Sequence, residues 1–192
     1  MSTAIFLDRD GVIIEDVHLL TNPGDIRILE GVARALRALE GAGFRLIVIS
    51  NQTVVARGLI TEQEVRAINA EIEHLLIQEG SPCFDGFYFC PHHPNATVPD
   101  YRVDCECRKP RPGLLLRAAR EHDLNLERSF VVGDRITDII AGARAGCRTV
   151  LVQTGKHQSP PIEMIEPLDE SVHPDYVCSD LGAAVEWILG AR

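Results

Sequence analysis

Short apolar runs alternate with segments of helical spacing along nearly the whole chain, and that alternation leaves few architectures open. Ala4–Leu7, Arg45–Ile49, Gly86–Phe89, Ser129–Val132, Arg148–Val152 and Tyr176–Cys178 read as strands. Their lengths and β-branched content suit burial on both faces. Between them lie helical stretches at Val32–Leu39, Pro112–Glu121, Thr137–Ala145 and Leu181–Leu189. Another begins at Thr61-Glu62-Gln63-Glu64, which has the form of a capping box, and carries an apolar stripe of Val65, Ile68, Ile72, Leu75 and Leu76 to about Gln78. Strand–helix alternation of this kind predicts an α/β fold: a doubly wound, mostly parallel sheet with helices on both faces. No linker, repeat or low-complexity segment divides residues 1–192, and no segment is large enough for a separate second domain, so one domain is expected. In such sheets ligands bind beyond the carboxyl ends of the strands, which is where chemistry should be sought.

The bulk properties exclude several classes of function. A chain of 192 residues with 45% hydrophobic and 24% charged content is long and apolar enough for a substantial core. No apolar run approaches the ~18–20 residues that span a bilayer, and no signal-like segment opens the chain. The net charge of −9 argues against nucleic acid or an anionic membrane as partner. A cytoplasmic protein is expected, with a monomer as the simplest assembly. Cys83, Cys147 and Cys178 lie in apolar settings and are expected to be reduced core residues.

Two strands end in acid. The first runs into Asp8-Arg9-Asp10-Gly11, the fourth into Gly133-Asp134-Arg135-Ile136-Thr137-Asp138. Carboxylates leaving buried strands are costly unless something binds or uses them. A plain turn would account for Asp-x-Asp-Gly alone. A calcium loop would not, since its later ligands are missing and a strand precedes it instead of a helix. Hard oxygen donors delivered by two strands to one sheet edge suit Mg2+. Ser50-Asn51-Gln52 at the end of the second strand offers a hydroxyl and amides to phosphate oxygens. Lys109, in Arg108-Lys109-Pro110, would balance the charge of the carboxylates and a phosphate.

Residues 90–111 show no periodicity and hold Cys90-Pro91-His92-His93 and Cys105-Glu106-Cys107. Three thiolates and one imidazole form a closed tetrahedral set for a structural Zn2+. Spacing alone does not choose between His92 and His93. Because Arg108 and Lys109 follow the last cysteine, zinc would also position two cations.

Asp8-x-Asp10-Gly11, Ser50, Lys109 and Gly133-Asp134-x-x-x-Asp138 together resemble the four motifs of the haloacid dehalogenase superfamily. The resemblance implies that Asp8 is the nucleophile and Asp10 the general acid and base. It further implies Mg2+ held by Asp8, the Asp10 carbonyl and Asp134, with Asp138 behind them, and Ser50 and Lys109 gripping the phosphoryl group. Cys-Pro-His-His-Pro, Cys-x-Cys-Arg-Lys-Pro and Asn-Gln-x-x-x-Ala-Arg-Gly narrow the likeness to the D-glycero-D-manno-heptose 1,7-bisphosphate 7-phosphatase family of nucleotide-activated heptose and lipopolysaccharide biosynthesis. That resemblance implies His92 as the fourth zinc ligand and a small phosphosugar as substrate. Asp16, Val17, His18, Leu19, Ser50, Asn51, Gln52, Thr53, Arg108, Lys109 and Arg135 are then the expected substrate contacts. The related histidinol-phosphate phosphatases share the zinc ligands but have a shorter loop and lack Ala56-Arg57-Gly58. Thr53-Val54-Val55 departs from the family's usual Ser-Gly-Ile; Leu19 stands near a usual aromatic residue and Arg135 at a usual lysine. A phospho-aspartate signalling domain is the non-enzymatic rival. Asp10, placed to hydrolyse an acyl phosphate, and the zinc loop argue against it.

Overall fold

The computed structural model describes residues 1–157, 169 and 171–191. Pro160, Pro161 and Pro167, in the segment after Lys156 that carries no chemical signal in the sequence, lie outside the described residues. Six strands form one sheet: β1 (Ala4–Leu7), β2 (Arg45–Asn51), β3 (Gly86–Cys90), β4 (Phe130–Gly133), β5 (Arg148–Val152) and β6 (Tyr176–Cys178). Their order is β3-β2-β1-β4-β5-β6, and every pairing is parallel. The order reverses at β1, so the crevice between β1 and β4 is the topological switch point.

Alternation along each strand separates two layers. Ile5, Leu7, Leu46, Val48, Phe130, Val132, Val150 and Val152 face α1 (Val32–Gly41), α3 (Glu62–Gln78) and α6 (Leu181–Gly190). Ala4, Phe6, Ile47, Ile49 and Val131 face α4 (Gly113–His122) and α5 (Ile136–Ala145). The strands are apolar on both sides because both sides are covered. The expected capping box on α3 is formed: Glu64 N–H donates to Thr61 Oγ1 and Thr61 N–H to Glu64 Oε2.

Three details differ from the sequence reading. β2 continues through Ser50 and Asn51, since both pair with β3 at Phe89 and Cys90. A one-turn helix, α2 (Thr53–Ala56), follows it. It is too short to show a period, and its Val54 and Val55 are buried with Val65, against which Leu19 packs. Cys83 is exposed rather than in the core. The link from α3 to edge strand β3 turns Phe84 inward against Phe87 instead, with ring centroids 5.0 Å apart. Cys147 and Cys178 are buried, as expected.

Candidate active site

The switch-point crevice gathers Asp8 from β1, Asp134 and Asp138 from the end of β4 and the start of α5, and Lys109 from the loop before α4. One carboxylate oxygen from each aspartate lies within 4.8 Å of the others. Lys109 is only 4% exposed. Its Nζ donates to Asp8 Oδ1 at 2.8 Å and to the Ile49 carbonyl at 3.0 Å, and pairs with Asp138 Oδ1 at 2.5 Å. Asp138 does two jobs, because its Oδ2 accepts the Arg135 N–H (3.0 Å) at the start of α5. Asp134 Oδ2 accepts the Lys156 N–H at 2.7 Å. Asp134 Oδ1 is buried with no hydrogen-bond partner among the described residues. The backbone at Gly155 passes so close that a Cβ there would overlap Asp134 Oδ2.

Charge in this crevice is unbalanced. Burial pushes the Asp8 carboxyl well above the ordinary range; Lys109 pulls it back, while Asp138, Asp134 and Asp10 push it further up. Burial and Asp138 push Asp134 up to about 6 against the Lys156 hydrogen bond. Burial opposes the charge on Lys109, but Asp138 and Asp8 outweigh it and raise its pKa. Three crowded carboxylates and an orphaned buried oxygen are a donor set suited to a second cation, and hard oxygen ligands of this number fit Mg2+.

Asp10 is not in that cluster. Arg9, 1% exposed, donates from Nε to Asp10 Oδ2 and from Nη2 to Asp10 Oδ1, both at 3.1 Å. Gln52 Nε2 donates to Asp10 Oδ2 (3.1 Å) and to Ser50 Oγ (3.2 Å). Asn51 uses its whole amide on the backbone of Lys109, accepting from its N–H and donating to its carbonyl, both at 3.1 Å. Of the expected substrate contacts, Asn51 and Gln52 thus serve first as braces for Lys109 and Asp10.

The segment after β1 is held open to solvent. Val17 is 40% exposed, and His18 is exposed too. His18 and Leu19 both adopt left-handed backbone angles, φ 52 and φ 58, which non-glycine residues avoid. Asp16 fixes this strained turn: its Oδ1 accepts the His18 N–H (3.0 Å), and its Oδ2 meets Arg135 Nη2 (3.2 Å) and Lys156 Nζ (2.8 Å). Burial alone would raise the Asp16 carboxyl, but these bonds win and lower it. Thr53 opens α2.

Cys90, His92, Cys105 and Cys107 also converge, with donor atoms all within 4.8 Å. Sulfur–sulfur distances are 3.1–3.5 Å, and His92 Nδ1 lies 3.3 Å from Cys107 Sγ. The Cys107 thiol is lowered to about 5, first by its hydrogen bond with Cys90, with burial opposing and Cys105 and His92 assisting. A closed set of three sulfurs and one nitrogen fits Zn2+. His93 faces elsewhere: its Nδ1 accepts the Asn95 N–H at 3.0 Å. The loop reaches the crevice through Lys109, while Arg108 before it donates from Nη1 to the His92 carbonyl at 3.2 Å. It rests on α2, where the Ala56 carbonyl accepts from Thr97 N–H and Val98 N–H.

Sequence reasoning passed over Arg9, Asn69, Lys156 and Gly155. Asn69 carried a signal, since it interrupts the apolar stripe of α3 yet is 4% exposed.

Aspartates delivered by the two strands that flank the switch point, with a buried lysine between them, define a phosphatase of the haloacid dehalogenase class. A family model described as HAD-hydrolase-like matches residues 106–184. A D-glycero-D-manno-heptose-1,7-bisphosphate 7-phosphatase from Thermosynechococcus vestitus is 39% identical over 189 residues, covering 96% of this chain and 94% of that protein. The D-glycero-beta-D-manno-heptose-1,7-bisphosphate 7-phosphatase of Yersinia pestis is 41% identical over 154 residues, 80% of this chain and 81% of its own. The D,D-heptose 1,7-bisphosphate phosphatase of B. bronchiseptica, solved with magnesium and phosphate, matches with a TM-score of 0.81 and 33% identity over 99% of both chains. The chain belongs to the D-glycero-D-manno-heptose-1,7-bisphosphate 7-phosphatase family.

Proposed function

We propose that the protein removes the 7-phosphate of D-glycero-D-manno-heptose 1,7-bisphosphate through an aspartyl-phosphate intermediate at Asp8. The observation that carries the chemistry is the Asp8–Lys109–Asp138 triple at the switch point, with Asp134 beside it. The substrate reading rests on the relatives' names and on their near-full coverage of this chain. Asp8, the Asp10 carbonyl and Asp134 would hold Mg2+, with Asp138 behind them; when bound, the ion supplies positive charge toward the phosphoryl oxygens. Lys109 and the Ser50 hydroxyl grip the same oxygens. The Asp8 carboxylate attacks phosphorus, the ester P–O bond breaks, and Asp10 gives a proton to the departing sugar oxygen. Asp10 then takes a proton from a water molecule as that water attacks phosphorus and frees Asp8. Lys109, already fixed between two carboxylates, needs no rearrangement as charge builds on the phosphoryl group.

Cys90, His92, Cys105 and Cys107 would hold Zn2+ as a structural ion that sets the loop carrying Arg108 and Lys109. Arg108, Arg135, Thr53 and the Asp16–Leu19 turn would face the sugar and its second phosphate. The fold is a single catalytic domain, and no helix among the described residues is long and apolar enough to cross a membrane. A cytoplasmic monomer acting on a small phosphosugar, with neither nucleic acid nor membrane as partner, fits this reading. The test is phosphate release with Mg2+ from each anomer of heptose 1,7-bisphosphate and from histidinol phosphate, with Asp8→Asn as blank. Preference for a heptose anomer, lost in the variant, is expected. Preference for histidinol phosphate would keep the mechanism and overturn the substrate.

A further inference from the structure

Among the described residues Arg9 is the largest side chain that the fold buries completely, and it stands between the two aspartates of the first motif. Stripping water from a guanidinium is costly unless its donors find partners, and here four of the five N–H groups do. Here the side-on fork to Asp10 takes Nε and one Nη2 proton. Nη2 also donates to Gln52 Oε1 at 2.9 Å, and Nη1 donates to Asn69 Oδ1 at 3.2 Å. Asn69 comes from the middle of α3, sixty residues away in sequence, and is itself buried. Filling space at this point would require only an apolar residue. A buried fork held from behind at two points fixes a carboxylate in both position and rotation.

The hydrogen bonds also distinguish the two oxygens of Asp10. Oδ2 accepts from Arg9 Nε and Gln52 Nε2 and also lies 3.0 Å from Arg9 Nη2, whereas Oδ1 meets only Nη2, at 3.1 Å. We infer that Arg9, anchored by Asn69 and Gln52, is a positioning residue that clamps Asp10 with Oδ1 left to carry the transferable proton. This rests on the role proposed for Asp10. In the first half-reaction Oδ1–H gives its proton to the leaving oxygen, which keeps the electron pair of the broken P–O bond. In the second, Oδ1 takes a proton from the water whose oxygen bonds to phosphorus as the Asp8–phosphorus bond breaks. The carboxyl group is thereby restored.

The test exploits leaving-group chemistry. An alkyl phosphate such as the heptose ester needs a proton on its departing oxygen, whereas p-nitrophenyl phosphate scarcely does. Asn69→Leu removes the anchor without touching Asp10 or substrate. It should lower kcat on the sugar phosphate about tenfold with KM within about twofold, a fraction of what a general acid contributes. On p-nitrophenyl phosphate the first step should stay within about twofold of the parent. The second step, which still needs Asp10 as base, should slow enough to give a burst of nitrophenolate. Asn69→Asp keeps the acceptor that Arg9 uses and should restore sugar-phosphate turnover to within about twofold. Equal slowing of both substrates without a burst, or no change on either, would overturn the clamp. Should Asn69→Leu not fold, Arg9→Lys, which loses the fork, carries the same comparison. Asp10→Asn separates the two levels. If it shows no leaving-group discrimination, the role of Asp10 itself fails; if it discriminates and the Asn69 and Arg9 variants do not, only the clamp fails.

Discussion

Replacing Lys109 with methionine keeps most of the unbranched stem and deletes the charged Nζ. In the metal-free protein the change leaves Asp8 and Asp138 facing each other at 8% and 1% exposure with no cation between them. At 2.8 Å and an effective dielectric of ~20, the Asp8 pair alone is worth roughly 6 kcal/mol before the cost of desolvating both ions is subtracted. Removing one partner of a buried pair typically costs about 3–5 kcal/mol, and that is the expected loss in urea unfolding of Lys109→Met at neutral pH with chelator present. Adding Asp138→Asn removes one of the orphaned charges, so the double variant should recover about 1–3 kcal/mol relative to additivity. Turnover should fall by about 10²–10³ in Lys109→Met even with saturating Mg2+, through loss of stabilisation at the phosphoryl oxygens. A stability change below about 1 kcal/mol, or a double variant no better than the sum of its parts, would refute the account of Lys109 as the counter-charge of the crevice.

The metal-free protein should lose stability as pH rises. The folded-state pKa of Asp134 is raised to about 6, so its favourable contribution is complete below the unfolded value near 4 and is lost through pH 6. The loss is on the order of 3 kcal/mol, Asp8 adds to it in the same direction, and saturating Mg2+ should remove the slope in pH-dependent unfolding. Stripping zinc should speed hydrogen exchange across residues 90–108 and lower kcat through a misplaced Lys109, whereas stripping Mg2+ should abolish turnover with exchange unchanged outside the crevice. Gly113→Ala should weaken zinc retention in a chelator competition, because the new Cβ would overlap the Glu106 carbonyl oxygen, between the last two cysteines.

Much of this molecule was legible in its sequence because periodicity reports burial, and burial fixes the layers. The six strands and long helices follow directly from such patterns. The acidic strand ends were legible for a different reason: a carboxylate at the edge of an apolar run conflicts with its surroundings, and conflict marks function. What stayed hidden were contacts between residues whose local context looks ordinary. Arg9 reads as a polar residue in a turn, and nothing local predicts that Asn69 will receive its guanidinium. Lys156 likewise sits beside Gly155 in an ordinary-looking loop, yet its N–H holds Asp134 and its Nζ holds Asp16. α2 was missed because four residues are fewer than one helical repeat needs to show itself.

The end of β2 binds several residues of the candidate site to one another. Successive residues of a strand point to opposite sides. Ser50 and Gln52 therefore share a side, joined at 3.2 Å, and Gln52 continues to Asp10 and Arg9. Asn51, on the other side, pairs with both backbone groups of Lys109 as a neighbouring strand would, although residue 109 belongs to no strand. Ser50 and Asn51 at the end of β2, with Gln52 just after it, thus tie the Ser50 hydroxyl, the Asp10 carboxylate and the buried Lys109 to one rigid element. A one-residue slip in the pairing of β2 with β1 would exchange these sides and release all three ties at once. The register that sets Ile47 against Phe6 and Val48 against Leu7, with Leu46 and Val48 packed in one layer and Ile47 and Ile49 in the other, therefore also sets the geometry of the candidate site.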